Sequence, residues 1–271
     1  MEGTIGEFLY KGIAESSGKL IAFLDDDDLW ESNKLKRVVE AFSDEKIVFY
    51  HNLYSYIDFY GKSIDYVRKV ERNNKNSFSS EIVFNSSYSI DKLKLAIKMK
   101  ADFNLSCIAI RKSLALTYID MVKMITSCQD GFFFWIAVIS QGNLFIDNEC
   151  LTEYRVHSSN VSGTENIKHK VIELQKEIMT FELLIHMITS NKYENSKVKD
   201  IKEWLELYKY EYYTMMLVFS NGRRLNISYS LMHVIHAGIK KSNILRNRVT
   251  LFGLIGLISC RLANSVYAKF K

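Results

Sequence analysis

The sequence predicts an α/β fold, a mixed sheet with helices on both faces, followed by an all-helical C-terminal extension. Three observations carry that prediction. The run Leu20 to Leu24 is continuously apolar and closes on four aspartates, Asp25 to Asp28, as a strand buried on both faces of a parallel sheet would. Strand-like and helix-like patterns then alternate up to about residue 160. Beyond Asn166, apolar residues recur at three and four, the spacing of helices. Two regions follow: 1–160, an α/β domain, and 161–271, a helical and basic region.

The elements are read in chain order. Strands are expected at Lys19–Asp25, Ile47–Ile57, Leu105–Arg111 and Gly142–Ile146, with a return strand at Leu151–Val156. Helices are expected at Glu7–Ser17, Ser32–Phe42, Ile90–Met99 and Gly131–Ser140. The stretch Glu71–Ser80, rich in Asn, Ser and charge, reads as a mobile loop. Further helices are expected at Ile167–Ile188, Val198–Phe219, Ile227–Lys240 and Arg248–Phe270. No internal repeat is visible.

Proline is wholly absent from the 271 residues, where average usage would place about 14. Four cysteines, at 107, 128, 150 and 260, lack metal spacing, so reduced thiols of a cytosolic protein are expected. No signal-peptide pattern opens the chain.

The aspartate run is the strongest chemical signal. In open α/β sheets, ligands bind outside the carboxyl ends of the strands, where this cluster would lie. Carboxylates this close repel one another unless a cation or a set of donors compensates them. A hard divalent metal with oxygen ligands is the expected compensator. The plain alternative is a solvated acidic turn capping the helix near Ser32. An EF-hand loop is excluded by spacing: counted from Asp25, the sixth position is Trp30 instead of Gly and the twelfth is Lys36 instead of Glu.

Three segments carry a resemblance. Lys11-Gly-Ile-Ala-Glu-Ser-Ser-Gly-Lys-Leu-Ile-Ala-Phe-Leu-Asp-Asp-Asp-Asp-Leu-Trp30, with Lys34-Leu35 beyond it, resembles the core of family-2 glycosyltransferases. Cys128-Gln-Asp-Gly-Phe-Phe-Phe-Trp135 resembles that family's acidic catalytic motif at a helix start. Leu151-Thr-Glu-Tyr-Arg-Val-His157 resembles the Tyr-Arg-x-His segment that closes its catalytic domain.

The resemblance implies a GT-A (Rossmann-like) catalytic domain and transfer of a sugar from a nucleotide-sugar donor, with inversion at the anomeric carbon. The family's aspartate-any-aspartate metal motif falls on Asp25-Asp26-Asp27. Asp27 would be the principal ligand of Mn²⁺ or Mg²⁺, with Asp25 a second ligand or a ribose contact. His157 would be a further ligand, since neutral imidazole suits a transition metal. Asp26, Asp28, Trp30, Gln129 and Tyr154 would line the substrate. Arg155 would pair with phosphate or the aspartates, an ordinary structural salt bridge being the alternative. Asp130 would be the general base; a helix N-cap is its structural alternative, and the two roles can coexist.

The resemblance begins inside the family's domain, so a truncated GT-A fold is expected, without the strand-turn-helix and second strand that hold the nucleotide base. A catalytically incompetent fragment or subunit, completed by a partner chain that supplies those strands, is the alternative expectation. After Glu211 there is no Asp or Glu and nine Lys or Arg, so the +5 total arises in the tail. Val249–Cys260, an apolar run of twelve, is too short to span a bilayer, which takes about 20 residues. A basic helical tail fits an anionic membrane surface, which points to a cytoplasmic protein, peripheral at the inner face of the cell membrane, acting on a lipid-linked or polysaccharide acceptor. No nucleic-acid partner is expected, because no binding module appears.

Overall fold

The computed structural model describes residues 3–64, 80–84, 90–140, 142–157, 167–190 and 196–219. They fall into two compact units, Met1–Asn160 and Val161–Lys271.

The first unit opens with α1 (Ile5–Glu15), whose start is fixed by a capping box. The Thr4 hydroxyl accepts the Glu7 N–H at 3.3 Å, and the Glu7 carboxylate accepts the Thr4 N–H at 2.9 Å. There follow β1 (Leu20–Ala22), β2 (Leu29–Trp30), α2 (Lys34–Ala41) and the long β3 (Ile47–Ile57). Next come β4 (Ile82–Phe84), α3 (Ile90–Lys98), a 3₁₀ turn at Leu105–Cys107 and β5 (Ile108–Arg111). The unit closes with α4 (Lys112–Thr117), α5 (Ile119–Met124), α6 (Gln129–Ile139) and β6 (Asn143–Arg155).

The six strands form one mixed sheet in the order β1-β5-β3-β6-β2, with β4 also on β6. Among the described strands only β3 and β6 run parallel; the other pairs are antiparallel. Gly142 lets β6 begin against β3, since a Cβ there would lie 2.4 Å from the Val48 methyls. Adjacent residues of β3 face opposite sides of the sheet, and each side is covered by a helix. Tyr50 packs with Val38, Ala41 and Phe42 of α2 and its end. Phe49 meets Phe134 of α6 edge-on at 5.8 Å, and Phe23 stacks on Phe133 at 4.7 Å. Helix α6 is apolar all round, with every residue from Gly131 to Val138 buried, as a central helix must be.

Several sequence expectations are corrected. The apolar run before the aspartates is not a strand buried on both faces of a parallel sheet. β1 spans three residues, pairs antiparallel with β5 at one end of the strand order and is only half-buried; Leu24 is 49% exposed. Leu105–Arg111 divides into the 3₁₀ turn and β5. The two strands expected at 142–146 and 151–156 are one strand, because the register shifts of β3 against β6 near His51 and Leu53 absorb the polar interruption. β2, β4, α4 and α5 were not expected. The aspartates do not cap a helix: β2 intervenes, and α2 starts after Asn33. The loop at 71–79 lies outside the described residues.

In the second unit, α7 (Ile167–Ser190) and α8 (Ser196–Phe219) form an antiparallel pair. Leu174 and Ile178 pack with Met216 and Phe219, and Phe181 stacks on Tyr208 at 5.6 Å. Among the described residues no helix is long and apolar enough to cross a membrane. The helices expected at 227–240 and 248–270 lie outside the described residues, and with them the basic tail.

Candidate active site

The four aspartates form a turn between β1 and β2, closed by the Asp28 N–H on the Asp25 carbonyl at 3.3 Å. Their side chains have different fates. Asp26 is exposed, and Asp25 and Asp27 are half-buried. Asp28 is 4% exposed and spends both oxygens on the protein: one accepts the Arg155 N–H at 2.9 Å, the other the Asn104 amide at 3.1 Å. Burial raises its pKa, while those donors and the Ser106 hydroxyl oppose the rise. Asp28 thus holds the turn in place and is not open to a substrate.

Asp25 is pushed up to about 6, by burial first and then by Asp28, Asp27, Asp130 and Asp26. This carboxylate faces like charges with little compensation. Asp27 carries a hydrogen bond from His157 Nε2 at 3.0 Å, and its carbonyl accepts from Arg155 Nε at 2.6 Å. Arg155 Nη1 reaches the Asp58 and Phe59 carbonyls at 2.9 Å each. The guanidinium therefore ties the aspartate turn to the turn after β3 through backbone oxygens. His157 also meets the Phe59 ring edge-on.

Asp130 is the second residue of α6. The cap position is Cys128, at φ 59°, so Asp130 is not the N-cap. Its carboxylate accepts the Gly131 N–H at 2.8 Å and the Asn104 N–H at 2.9 Å. Burial lifts its pKa to about 6 against those two bonds, with Asp102 adding to the rise. Gln129, at the first helical position, is half-buried beside it.

The loop from Asp102 to Cys107 joins these parts, and sequence reasoning missed it. Ser106 accepts the Asp25 N–H on its hydroxyl at 3.0 Å. Its carbonyl accepts the Trp30 indole N–H at 2.9 Å, the Lys34 ammonium, and the Thr152 hydroxyl at 3.3 Å. Trp30 thereby commits its single donor to the protein, so a substrate would meet only its ring. Lys34 is fully buried, bonded also to Asn52 at 2.8 Å and Thr152 at 2.9 Å, and lies over the Trp30 ring. Burial depresses its pKa to about 8. Buried His51, held neutral by a pKa near 4, donates to the Phe103 carbonyl at 3.0 Å and supports the same loop. Tyr154 sits in an aromatic cluster with Tyr54, Tyr56 and Phe103. The signal for the loop was present: Asn104-Leu-Ser106 ahead of an apolar run is turn chemistry, which a strand reading overrode.

Among the described residues, no three His, Cys, Asp or Glu side chains converge as a metal cluster. Asp27 and His157 come together, and Asp25 joins them electrostatically. Mg²⁺-type sites commonly take one or two carboxylates and complete their shell with water and substrate phosphate. The excess negative charge on Asp25 is what such an ion would relieve. The residues fit a metal held in part by its substrate. Cys107, Cys128 and Cys150 form no disulfide.

Residues 6–110 match the model of Glycosyl transferase family 2. A stretch of 71 residues is 39% identical to an uncharacterized glycosyltransferase of Rickettsia bellii, covering 26% of this chain and 9% of that protein. Another, of 54 residues, is 41% identical to an uncharacterized glycosyltransferase of Nostoc, covering 20% of this chain and 17% of that protein. The chain therefore spans only a small part of the curated relatives it matches. The crystal structure of S. aureus TarS 1-349 in complex with UDP-GlcNAc aligns with a TM-score of 0.43 at 10% identity, over 85% of this chain and 70% of that one. The family match covers less than half of the chain, so the similarity to Glycosyl transferase family 2 is one over residues 6–110. Asp25 to Asp28 lie inside the matched residues; Asp130, Arg155 and His157 lie beyond them.

Proposed function

We propose that the chain transfers a sugar from a nucleotide-sugar donor to an acceptor hydroxyl, with metal assistance and inversion at the anomeric carbon. The observation that carries this reading is the meeting of two carboxylate sites, Asp25 and Asp130, each raised to about 6, in one electrostatic neighbourhood of a family-2 domain. Asp27 and His157, with Asp25, would hold Mn²⁺ or Mg²⁺. Bound there, the ion would neutralise charge developing on the departing diphosphate. Asp130 would take the proton of the acceptor hydroxyl as its oxygen bonds to the anomeric carbon and the bond to the phosphate oxygen breaks. A base near 6 is ionised at neutral pH and retains useful basicity.

Asp26 is exposed beside the donor end and would meet the donor through solvent. Gln129, at the start of α6, would line the acceptor side. The acceptor class, a glycan or a lipid-linked sugar, is supported by the family, and a peripheral place at an anionic membrane surface by the basic tail after Glu211.

The test is a panel of uridine and guanosine diphosphate sugars incubated with the full chain and Mn²⁺, read as release of the nucleoside diphosphate. Release from one donor should disappear in Asp27→Asn together with Mn²⁺-dependent binding of the diphosphate. Asp130→Asn should bind as the parent does and release the diphosphate about 10³-fold more slowly. Equal release by the parent and both variants would contradict the reading.

A further inference from the structure

We propose that Asn104 is a positioning residue that couples the aspartate turn to Asp130, setting the base and the donor end of the site from one side chain and its backbone. This rests on the reading of Asp130 as the base. Three groups of the residue act in three directions. Its N–H donates to Asp130 at 2.9 Å, its amide Nδ2 donates to Asp28 at 3.1 Å, and its Oδ1 accepts the Ser106 N–H at 2.8 Å. The residue is 5% exposed, so these bonds are dry and no water replaces them without cost. Asp28 and Asp130 are far apart in sequence, and Asn104 is bonded to both carboxylates.

The backbone makes the arrangement specific. Asn104 has φ 65° and ψ 105°, a conformation that Cβ-bearing residues avoid and that asparagine and glycine tolerate best. Positive φ is what lets the N–H face α6 while the following residues turn back to present Ser106 to Asp25. Residue type therefore divides the two roles. Glycine keeps the backbone, and with it the bond to Asp130, but loses the bridge to Asp28. Alanine loses the bridge and disfavours the backbone as well.

That division supplies the test. Carbon-13 NMR of the full chain labelled at aspartate, with Asp130 assigned by Asp130→Asn, reads the titration of the base without any substrate. Asn104→Ala should move the Asp130 midpoint upward by about one pH unit, roughly tenfold in the ionisation constant, because the positive φ that aims the residue-104 N–H at the charged form is disfavoured and that bond is weakened. Asn104→Gly should leave that midpoint within a few tenths of a unit while weakening Mn²⁺-dependent uridine diphosphate binding several-fold. Asn104→Asp, which keeps the φ tolerance but sets a carboxylate against Asp28, should weaken binding further and serves if the alanine variant does not fold. A midpoint unchanged in Asn104→Ala, or shifted as far in Asn104→Gly, overturns the proposal and leaves Asn104 a structural residue. A parent that binds no diphosphate contradicts the donor reading instead, and the titration still decides the role of Asn104.

Discussion

Two carboxylate clusters in the first unit invite comparison. Around Asp147, fully buried in β6, every charge is answered: Arg37 Nε donates at 2.8 Å and the Tyr50 hydroxyl at 2.8 Å, while Arg37 also binds Glu81 at 2.6 Å. The Asp147 carboxylate raises the pKa of Arg37, and burial followed by that carboxylate raises the pKa of Tyr50. Around Asp25 and Asp27 the reverse holds. Four carboxylates raise the proton affinity of a fifth, and Arg155 donates from Nε and Nη1 to the backbone oxygens of Asp27, Asp58 and Phe59. The first cluster is built to hold the sheet to α2. The second leaves Asp25 among like charges, an imbalance that a cation or a proton would relieve.

The comparison can be broken by exchanging losses. The largest effect belongs to Asp130→Asn, which should lower sugar transfer by about 10³-fold, within the usual range for a removed base, with diphosphate binding kept. Next, Asp147→Ala should cost about 3–5 kcal/mol in urea unfolding, because Arg37 and Tyr50 lose a buried partner. A neutral outcome would mean that the paired cluster is not structural. Third, Mn²⁺ should raise the thermal midpoint more at pH 7.5 than at pH 5. Asp25 and Asp130 have folded pKa values near 6, above an unfolded value of about 3.9. Their contribution to stability is therefore present below about pH 4 and lost as pH rises through about 6. An ion on ionised aspartates restores it, by about 2.7 kcal/mol at a hundredfold excess over Kd. An equal gain at both pH values, or one retained in Asp27→Asn, would place the ion elsewhere. The smallest effect concerns Lys34. Its folded pKa near 8 lies below an unfolded value of about 10.4, so parental stability should rise with pH between them. That rise should be absent in Lys34→Met, as read by urea unfolding at pH 7.5 and 9.5.

Much of the fold was legible because it is locally encoded. β3 is read at Ile47–Ile57, its observed bounds, and α2, α3, α6, α7 and α8 within about two residues, since their apolar spacing is strong. What failed is what depends on distant partners. Leu29–Trp30 is a strand only because Glu153 and Thr152 lie opposite. Leu20–Ala22 is apolar enough for a central strand, yet among the described residues β5 is its one strand partner. The two six-residue helices α4 and α5 are too short for periodicity to register.

The site shows the same division. Asp25, Asp27, Asp130 and His157 are candidates read from residue type and setting, and the structure brings Asp27 to His157 and Asp25 into the field of Asp130. The demotion of Asp28 to a structural carboxylate was not legible, because its donors come from residues 104 and 155. Asn104 and Ser106 act largely through backbone groups, and their residue types name no chemistry in a sequence.

The most direct test of the central claim is calorimetric titration of the full chain with uridine diphosphate, with and without Mn²⁺, beside Asp27→Asn. An unneutralised aspartate site that takes a cation with its substrate predicts binding that requires Mn²⁺ and vanishes in the variant. Binding of equal strength without the metal, or equally strong in Asp27→Asn, would contradict it.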